Sequence, residues 1–508
     1  MNKNYLTQVV ILFLLTIAIL LGLSTLKPTD ISFTTKEMDI LGCLRDAPVI
    51  EEMPEEELPV TAGGMDVAEE NDGTISVADD ESIPTEGEAL VMTDAGNGYV
   101  ASDTAVSAEL LDSTVLRTAI EAPRKAGDIT LIEDYTMAQA GLKNLEVAID
   151  NMESLQRPVR IAVLGDSFTE ADILTQDLRQ LLQDVYGGCG VGYMPMYSDC
   201  PGFRRSISHV CKGWDTHSVV SKPQYKNTSL TMQLHRPQDS VATVTRFKGL
   251  NKFRHIDSWE VSKIGLVANR GASVSVKTDS GRQSFNLSPD DKAQFIVIPE
   301  STQTLEIICN QSHVAFWGAW LDGNKGIAVD NISIRGNSGI TIPQIPVERL
   351  KQLNEAVPYD LIILQYGLNC MDKRITDYTY YKTQLVKTIR HLRTALPNTD
   401  IIVMGISDRC QNIGGTIQTM KSVYAFSQAQ RSAAMETQCH FWDCCEAMKT
   451  LGGMETFVKN RWANKDYTHI SFVGGTYIAE EFVKALKYAF EKKSAPVGQT
   501  QNGTVIYE

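Results

Sequence analysis

The sequence predicts an α/β fold in which a parallel sheet is covered by helices on both faces. Short apolar runs recur along the chain, and segments of helical periodicity separate them. One long stretch with a period of two interrupts this alternation, which indicates an all-β domain inserted into the α/β domain. Strands that alternate with helices pack as a parallel sheet between two helical layers. The expected architecture is therefore a three-layer α/β/α sandwich.

The predicted strands of this sheet are short apolar runs. They are Val159 to Leu164, Ile327 to Ile334, Asp360 to Leu364, Asp400 to Gly405 and His440 to Asp443. Helices are predicted where apolar residues recur three or four positions apart, from Leu174 to Leu182, from Tyr381 to Leu396 and from Ile478 to Phe490. A further helix within Asp134 to Met152 opens the domain. This succession is typical of a flavodoxin-like sheet.

The inserted β domain is expected between about residues 214 and 323. Alternation in Val274-Ser275-Val276, followed by the turn Asp279-Ser280-Gly281, predicts a hairpin. Further strands are predicted at Phe295 to Ile298, Leu305 to Ile308 and Val314 to Leu321. The large aromatic residues of this stretch are expected in its core, namely Trp259, Phe316, Trp317 and Trp320.

The N-terminus carries an apolar segment, Val9 to Leu23, between Lys3 and Lys27. Its length approaches the roughly 20 residues that a membrane-spanning helix requires. Because no small-x-small cleavage site is evident, an uncleaved anchor is favoured over a removed signal peptide. The expected organisation is an anchor or signal at 1–28, a linker at 29–133, the α/β domain at 134–213 and 324–493, the inserted domain at 214–323 and a tail at 494–508.

The linker is strongly acidic. Residues 45–109 hold eighteen aspartates and glutamates against the single Arg45, a charge of 1 − 18 = −17. The whole chain carries −15, so the remainder sums to about +2. Few aromatic residues and many small polar ones accompany this charge, which is typical of a disordered tether. The acidity therefore describes the linker and not the folded domains. No nucleic-acid partner is expected.

A candidate nucleophile, Ser167, follows the first predicted strand in the tripeptide Gly165-Asp166-Ser167. A strand-to-helix turn of an open α/β sheet lies at the carboxyl ends of the strands, where ligands bind. A helix N-terminus there also offers N–H groups to negative charge. Read alone, the tripeptide fits a helix cap as well as a nucleophile.

A second stretch near the C-terminus supplies what a serine needs to react. Asp466 and His469 stand three residues apart, so a carboxylate and an imidazole share one turn of chain. A serine hydroxyl needs a base to remove its proton, and the base needs a partner that fixes its tautomer. Together the two stretches predict a Ser167-His469-Asp466 triad.

These blocks resemble those of the SGNH (GDSL-type) esterases and acyltransferases. Gly165-Asp166-Ser167 matches the family's first block, Gly367-Leu368-Asn369 its Gly-x-Asn block, and Asp466 to His469 its last. The second block, a glycine after the second strand, is best matched by Gly336-Asn337-Ser338-Gly339. Gly339 is favoured there, and Gly336 stays open as the alternative.

Within that family the chain is most similar to bacterial peptidoglycan and polysaccharide O-acetylesterases and O-acetyltransferases, over about residues 134–493. The resemblance implies acyl transfer by Ser167, with His469 as base and Asp466 as its orienting partner. It also implies an oxyanion hole formed by Ser167, Gly339 and Asn369. No cofactor and no metal are expected. The implied reaction removes O-acetyl groups from a cell-wall or extracellular polysaccharide.

The resemblance also implies partners and a location. An acetylated glycan or peptidoglycan is the expected substrate, the inner membrane is contacted through the N-terminal helix, and a membrane-bound acyltransferase is a further candidate partner. The catalytic domain is expected on the periplasmic side, with a periplasmic protein as the alternative if the signal is cleaved. The inserted domain looks like a carbohydrate-binding module.

Two alternative functions remain open. A polysaccharide O-acetyltransferase would use the same triad, since only the acceptor of the acyl group differs. A non-catalytic glycan-binding protein would place the function in the β domain. Among the ten cysteines, Cys200 and Cys211 form the pair expected as a candidate disulfide, and no C-x-x-C pair indicates zinc.

Overall fold

A computed structural model describes residues 125–223 and 225–494. The predicted membrane segment and C-terminal tail, and the linker up to residue 124, lie outside the described residues. Within the described ranges, no helix combines the length and apolar character needed to cross a membrane. Residues 125–133 were expected in the linker, but they form short strands and belong to the folded protein.

The strands are numbered in chain order. They are β1 Lys125–Ala126, β2 Ile129–Thr130, β3 Ile132–Asp134, β4 Val159–Gly165, β5 Gly192–Met194, β6 Ile207–Lys212, β7 Trp214–Ser218, β8 Gln233–Pro237, β9 Val244–Gly249, β10 Val261–Ala268, β11 Ala272–Thr278, β12 Gly281–Leu287, β13 Asp290–Ile298, β14 Thr304–Ile308, β15 Val314–Asp322, β16 Ile327–Ser333, β17 Leu361–Gln365, β18 Asp400–Met404, β19 Cys410–Ile413, β20 Thr416–Thr419 and β21 His440–Trp442.

The α-helices are numbered in the same way. They are α1 Lys143–Asp150, α2 Thr175–Tyr186, α3 Val347–Ala356, α4 Thr379–Ala395, α5 Lys421–Glu436, α6 Cys444–Thr450, α7 Gly453–Lys459 and α8 Phe472–Ser494. Short 3-10 turns connect several of them, including Glu170–Asp172 and Leu368–Cys370.

A six-stranded sheet in the order β16-β4-β17-β18-β21-β3 forms the centre of the α/β domain. The first five strands are parallel, and β3 joins the edge antiparallel to β21. Numbered along the chain, the parallel strands have the order 2-1-3-4-5, which is flavodoxin-like. The predicted parallel strands are confirmed. The edge strand β3 was not predicted, because three residues are too few to show a period.

Helices cover this sheet in two layers. Every residue of β4 is buried, as expected for a strand covered on both faces. Helix α2 packs against α8, while α4 packs against α3 and α5. The carboxyl ends of the parallel strands therefore open toward a common edge, where loops from β4, β16, β17 and β18 meet.

Two antiparallel sheets form a β-sandwich between α2 and β16. One has the order β13-β10-β15-β8-β7, with β5 also paired to β15, and the other has the order β12-β11-β14-β9-β6. The sandwich uses β5 and β6, which precede residue 214, the expected start of the insertion. Both strands follow a glycine-rich loop and are too short or too irregular to show a period of two.

Strand β15 joins the two domains and is buried along its whole length. Phe316 and Leu321 face the sandwich core, whereas Trp317 and Trp320 pack with the α/β domain. The side chains of odd-numbered and even-numbered residues swap faces at a bulge beside Gly318. At Gly318 φ is +140°, and a Cβ there would collide with the Tyr193 ring. The expected burial of the aromatic residues, including Trp259, is confirmed.

A buried ion cluster spans the boundary between these domains. Arg160 of β4 donates to Asp322 of β15 at 2.6 Å and to Asp330 of β16 at 3.0 Å. Tyr359 Oη also donates to Asp330, at 2.8 Å. Removing one partner from such a cluster typically costs about 3–5 kcal/mol, because a buried charge is left uncompensated. The cluster therefore fixes the sandwich on the sheet.

The described cysteines are free thiols, including Cys200 and Cys211. The expected Cys200–Cys211 disulfide is therefore absent from the structure, and the Cys211 thiol instead lies 3.6 Å from the carbonyl oxygen of Ser198. Cys444 and Cys445 lie in α6, where both are buried as core residues.

Candidate active site

Ser167 lies two residues beyond the end of β4, at the carboxyl edge of the sheet. Its Oγ is 3.3 Å from Nε2 of His469, which is 302 positions later in the chain. The helix predicted from Leu174 is α2, which starts at Thr175. The helix N-terminus is therefore not beside Ser167, where its N–H groups were expected. The N–H groups near the hydroxyl belong to the turn itself.

The turn between Ser167 and α2 is held by a buried carboxylate. Ala171 and Asp172 adopt left-handed conformations, with φ of 54° and 68°. Asp172 accepts hydrogen bonds from Arg179 at 3.1 Å and from Arg204 at 2.9 Å. Burial alone would raise the pKa of Asp172, but the two guanidinium groups outweigh it and hold that pKa well below its usual range. This ion cluster stabilises the strained backbone that carries the serine.

Asp466 and His469 form one tight turn before α8. Tyr467 between them has φ of 54°, and its carbonyl oxygen accepts from the N–H of Cys410 at 3.2 Å. Oδ2 of Asp466 lies 2.7 Å from Nδ1 of His469. Its Oδ1 accepts from the backbone N–H groups of Thr468 at 2.9 Å and of His469 at 3.0 Å. The carboxylate therefore fixes both the imidazole and the turn.

The charge on Asp466 is favoured by these contacts. Burial alone would raise the pKa of Asp466, but the hydrogen bond and charge of His469, with the two backbone donors, lower it overall. The Asp466 carboxylate is thus ionised at neutral pH, as the partner of an imidazole that becomes protonated must be.

Arg409 lies in the loop after β18 and was not identified from the sequence. Burial lowers its pKa, and the neighbouring carboxylates of Asp466 and Asp372 partly offset that effect. Its Nε is buried, and no hydrogen-bond partner for it exists in the part of the chain that the structure describes. No sequence motif identifies a single arginine after a strand as a site residue. Arg409 is recognised only because the structure places it near Asp466.

The first and third blocks of the predicted site are joined by a buried carboxyl group. Asp166 accepts from the N–H of Phe168 at 2.9 Å and from Nδ2 of Asn369 at 3.0 Å. The same Asn369 amide donates to the carbonyl oxygen of Asn337 at 3.1 Å. Burial raises the pKa of Asp166 to about 7. The sequence assigned Asp166 no more than a capping role, and the structure adds the link to Asn369.

The two candidate glycines of the second block differ in their surroundings. The N–H of Gly339 donates to Oδ1 of Asn337 at 3.0 Å, and its Cα packs against the Tyr366 ring. Gly336 is exposed, has nothing near the position of a Cβ, and its N–H has no acceptor among the described residues. The N–H of Gly339, the expected donor, therefore already has a partner, whereas the N–H of the alternative, Gly336, has none among the described residues.

The loop that carries Gly336 lies beside the serine turn. The N–H of Ile334 donates to the carbonyl oxygen of Gly165 at 3.0 Å, and the hydroxyls of Ser333 and Thr169 are 2.7 Å apart. The N–H of Ser167, like that of Gly336, has no acceptor among the described residues. The edge therefore combines a hydroxyl, an imidazole with a carboxylate partner and unpaired backbone donors, which is the donor set that acyl transfer uses.

Groups that could hold a metal ion do not converge within the described ranges. No three histidine, cysteine, aspartate or glutamate side chains there are arranged as ligands.

Residues 301–469 match the model of the GDSL-like lipase/acylhydrolase family. The chain contains an SGNH (GDSL-type) hydrolase domain. The matched range holds Gly336, Asn369 and His469, while Ser167 precedes it because the sandwich separates the first strand from the second. The catalytic roles of these SGNH residues remain predictions.

The chain is similar to several solved structures, one of which has a TM-score above 0.5 and shows the same fold. One described as a peptidoglycan O-acetylesterase in action has 21% identity and a TM-score of 0.58, with 71% of this chain and 99% of that chain covered. A Bacillus subtilis protein has 12% identity and a TM-score of 0.29, covering 57% and 91%. A family two carbohydrate esterase from Cellvibrio japonicus has 11% identity and a TM-score of 0.23, covering 56% and 98%. A comparison with curated proteins finds no match. The family match supports an acylhydrolase, and the first of these structures shows the fold.

Proposed function

We propose that this protein is a serine esterase that removes O-acetyl groups from a cell-wall or extracellular polysaccharide. The observation that carries the proposal is the continuous line of contacts from Ser167 through His469 to Asp466 at the carboxyl edge of the sheet. The match to an acylhydrolase family supports the reaction type. The choice of an acetylated glycan rests on the likeness to a structure described as a peptidoglycan O-acetylesterase.

In the proposed first step, Oγ of Ser167 attacks the acetyl carbonyl carbon while Nε2 of His469 takes the hydroxyl proton. The resting separation of 3.3 Å is slightly long for this transfer, and such contacts typically shorten when substrate binds. Asp466 holds the imidazole by its Nδ1 proton and stabilises the imidazolium that forms. His469 then protonates the sugar oxygen as the ester bond breaks, leaving an acetylated serine.

The oxyanion of the tetrahedral intermediate needs donors that are fixed before it forms. In this proposal they are the N–H groups of Ser167 and Gly336, with the side-chain amide of Asn369. Both Asn369 protons have acceptors in the resting structure, Asp166 and the Asn337 carbonyl. The oxyanion therefore competes with the Asn337 carbonyl, a neutral acceptor, and a charged acceptor forms the stronger bond.

In the second step, water attacks the acetyl-enzyme with His469 again acting as base, which releases acetate. Attack by a sugar hydroxyl in place of water would make the protein an O-acetyltransferase. The same groups serve both reactions, so the acceptor decides between them.

We also propose that residues 1–28 anchor the protein in the inner membrane and that the acidic linker extends the catalytic domain into the periplasm. The support is the apolar Val9 to Leu23 segment and the charge of residues 45–109. Fractionation should recover the full-length protein with membranes. A free periplasmic protein with a new N-terminus near Lys27 would contradict the anchor.

The test of the proposed reaction uses the purified full-length protein, O-acetylated peptidoglycan and a soluble acetyl ester, with acetate measured directly. Ser167→Ala should lower acetate release by about 10⁴-fold or more, since the nucleophile is lost. Ser154→Ala, an exposed serine after α1, is the matched control and should retain activity. Equal turnover by Ser167→Ala and the parent would refute the mechanism. Acetylated acceptor in excess of free acetate would assign the protein as a transferase.

A further inference from the structure

The sandwich contains a polar cavity of about 310 Å³ apart from the triad. Val267 and Ala315, cross-strand partners on β10 and β15, line it on the sheet. Loops before and after these strands contribute Asn269, Arg270 and His313. This volume lies at the lower end of the range of about 300–1,000 Å³ that is usual for small-molecule pockets. The cavity therefore has room for one small ligand ring.

Two side chains that line the cavity hold buried polar atoms with no protein partner. Nε of Arg236 and Nε2 of His313 are shielded from solvent, and neither has a hydrogen-bond partner in the described part of the chain. Native proteins satisfy most buried polar atoms, because an unpaired one keeps its full desolvation cost. A ligand with acceptor oxygens would recover that cost. The unpaired atoms therefore point to an acceptor-rich ligand.

The charges around the cavity define the ligand further. Arg236 and Arg270 form no ion pair within the described ranges, and Asp291 is the acidic group in the lining. The Asp291 carboxylate already lies 4.0 Å from the guanidinium of Arg349. The lining thus holds two guanidinium groups against one carboxylate, and guanidinium groups bind carboxylates or phosphates in a bidentate manner. The ligand is therefore an anion.

We propose that this cavity binds one carboxylate-bearing sugar unit of a glycan. The carboxylate pairs with Arg236 and Arg270, while the amides of Asn227 and Asn269, the Ser312 hydroxyl and the His313 ring meet the hydroxyl groups. A bare phosphate would leave most of these neutral groups unmatched. The identity of the glycan as the substrate rests on the proposed function, whereas binding of an acidic sugar does not.

The cavity is linked to the catalytic edge by a short segment. Five residues after Asn227, the Met232 sulfur lies 3.2 Å from Nδ2 of Asn337 and 3.7 Å from the Tyr366 hydroxyl. Five residues span at most about 18 Å. The carbonyl of Asn337 accepts from Asn369, so an acidic sugar in the cavity lies within reach of the same glycan chain that meets Ser167.

The test is an NMR titration of the full-length protein with two matched sugar pairs and with inorganic phosphate. The pairs are N-acetylmuramic acid against N-acetylglucosamine, and glucuronic acid against glucose. Within at least one pair, the acid should bind about tenfold or more tightly than its neutral partner, because charge-assisted hydrogen bonds are lost in the neutral sugar. Equal affinities within both pairs, or phosphate binding as tight as that of the acids, would overturn the proposal.

Variants test whether the acidic sugar binds in the cavity or elsewhere on the surface. Arg236→Met and Arg270→Gln should each weaken binding of the acidic sugar by about tenfold. Arg270 is exposed, so its replacement leaves the core intact even if Arg236→Met impairs folding. Arg282→Gln, on the other sheet of the sandwich, is the matched control and should bind as the parent does. Unchanged affinity in Arg270→Gln would overturn the proposal. Neither titration needs turnover, so loss of the esterase proposal would leave this result standing.

Discussion

The edge of the α/β domain that holds the proposed triad and the interior of the β-sandwich place histidine in opposite environments. The His469 side chain is 39% exposed and lies against the Asp466 carboxylate. His235 of β8 has no exposed surface, and its ring contacts the Thr216 hydroxyl at 2.9 Å. Burial lowers the pKa of His235 to about 3, with a smaller effect from neighbouring His209. A histidine thus becomes a candidate base only where exposure and a carboxylate coincide.

The two regions also differ in how their buried charges are used. Asp172 and its arginines stabilise strained backbone next to the serine, while the Arg160 cluster joins sheet to sandwich. The sandwich cavity instead leaves Arg236 unpaired. Replacing the side chains that are proposed to react should therefore alter turnover with little loss of stability, and changes in the sandwich interior should do the reverse.

The largest expected effect comes from Asp466→Asn. An amide keeps the backbone contacts of Oδ1 but cannot stabilise the imidazolium, so kcat on a soluble acetyl ester should fall by about 10⁴-fold. The matched control is Asp239→Asn, an exposed carboxylate of the sandwich, which should retain the parent's kcat. A fall in kcat of less than about tenfold in the Asp466 variant would contradict the comparison, because such a change is too small for the orienting partner of a triad base.

Asn369→Ala should cause the second-largest fall in turnover. Losing one oxyanion donor typically lowers turnover by about 10²–10³-fold, and KM should change little because the amide is needed mainly in the transition state. Asn286→Ala, on the exposed side of β12, provides the control. Steady-state kinetics on the soluble ester separate the two parameters. A rise in KM with unchanged kcat would give Asn369 a binding role only.

The parallel sheet and the contact of Asp466 with His469 could be predicted from the sequence because both rest on local patterns. Apolar runs such as Val159 to Leu164 identify buried strands, and the Asp-x-x-His spacing brings Asp466 and His469 together within one turn. The choice between Gly336 and Gly339 could not be made in this way. It depends on which N–H is taken by the Asn337 side chain, a contact that no spacing specifies.

Other features of the site could not be predicted from the sequence, because they depend on contacts between distant parts of the chain. Arg409 meets Asp466 from a different loop, and Asp166 contacts Asn369 across 203 positions. The non-helical turn between Ser167 and α2 is another such feature, because its Asp172 accepts from Arg204, 32 positions later. Local periodicity carries no information about such pairings.

The sandwich should be the acid-sensitive region. His235 stays neutral in the folded state until its pKa of about 3, whereas in the unfolded chain it takes a proton near 6.5. The unfolded state therefore binds more protons below pH 6.5, and the stability from a neutral His235 is lost as the pH falls from 6.5 toward 3. Between pH 6.5 and 5 this one group should remove about 2 kcal/mol.

Urea unfolding of the parent and of His235→Asn at pH 6.5 and pH 5 measures this loss. The asparagine keeps an acceptor for the Thr216 hydroxyl but has no group that titrates in this range. The variant should thus lose about 2 kcal/mol less than the parent over the same interval. Identical pH dependence in the two proteins would show that His235 is solvated or already charged in the folded state.

The smallest expected effect is a difference in stability between alanine variants of Gly336 and Gly339, the two glycines of the loop after β16. Gly336 and Gly339 have φ of 78° and 77°, so an alanine meets the same backbone strain at either position, about 1–2 kcal/mol. Only at Gly339 does the new Cβ collide with the Tyr366 ring. Overpacking of this kind adds about 1–3 kcal/mol. Gly339→Ala should therefore be the less stable variant in thermal unfolding.

Turnover should respond in the opposite order. If the Gly336 N–H holds the oxyanion, Gly336→Ala distorts a donor at the reacting atom and lowers kcat on the soluble ester, while KM stays near the parent value. Gly339→Ala, assayed at a temperature where it is folded, should retain more of the parent's kcat, because its N–H faces Asn337 and not the substrate. A larger kcat loss in folded Gly339→Ala would return the donor role to Gly339 and remove the basis for preferring its neighbour.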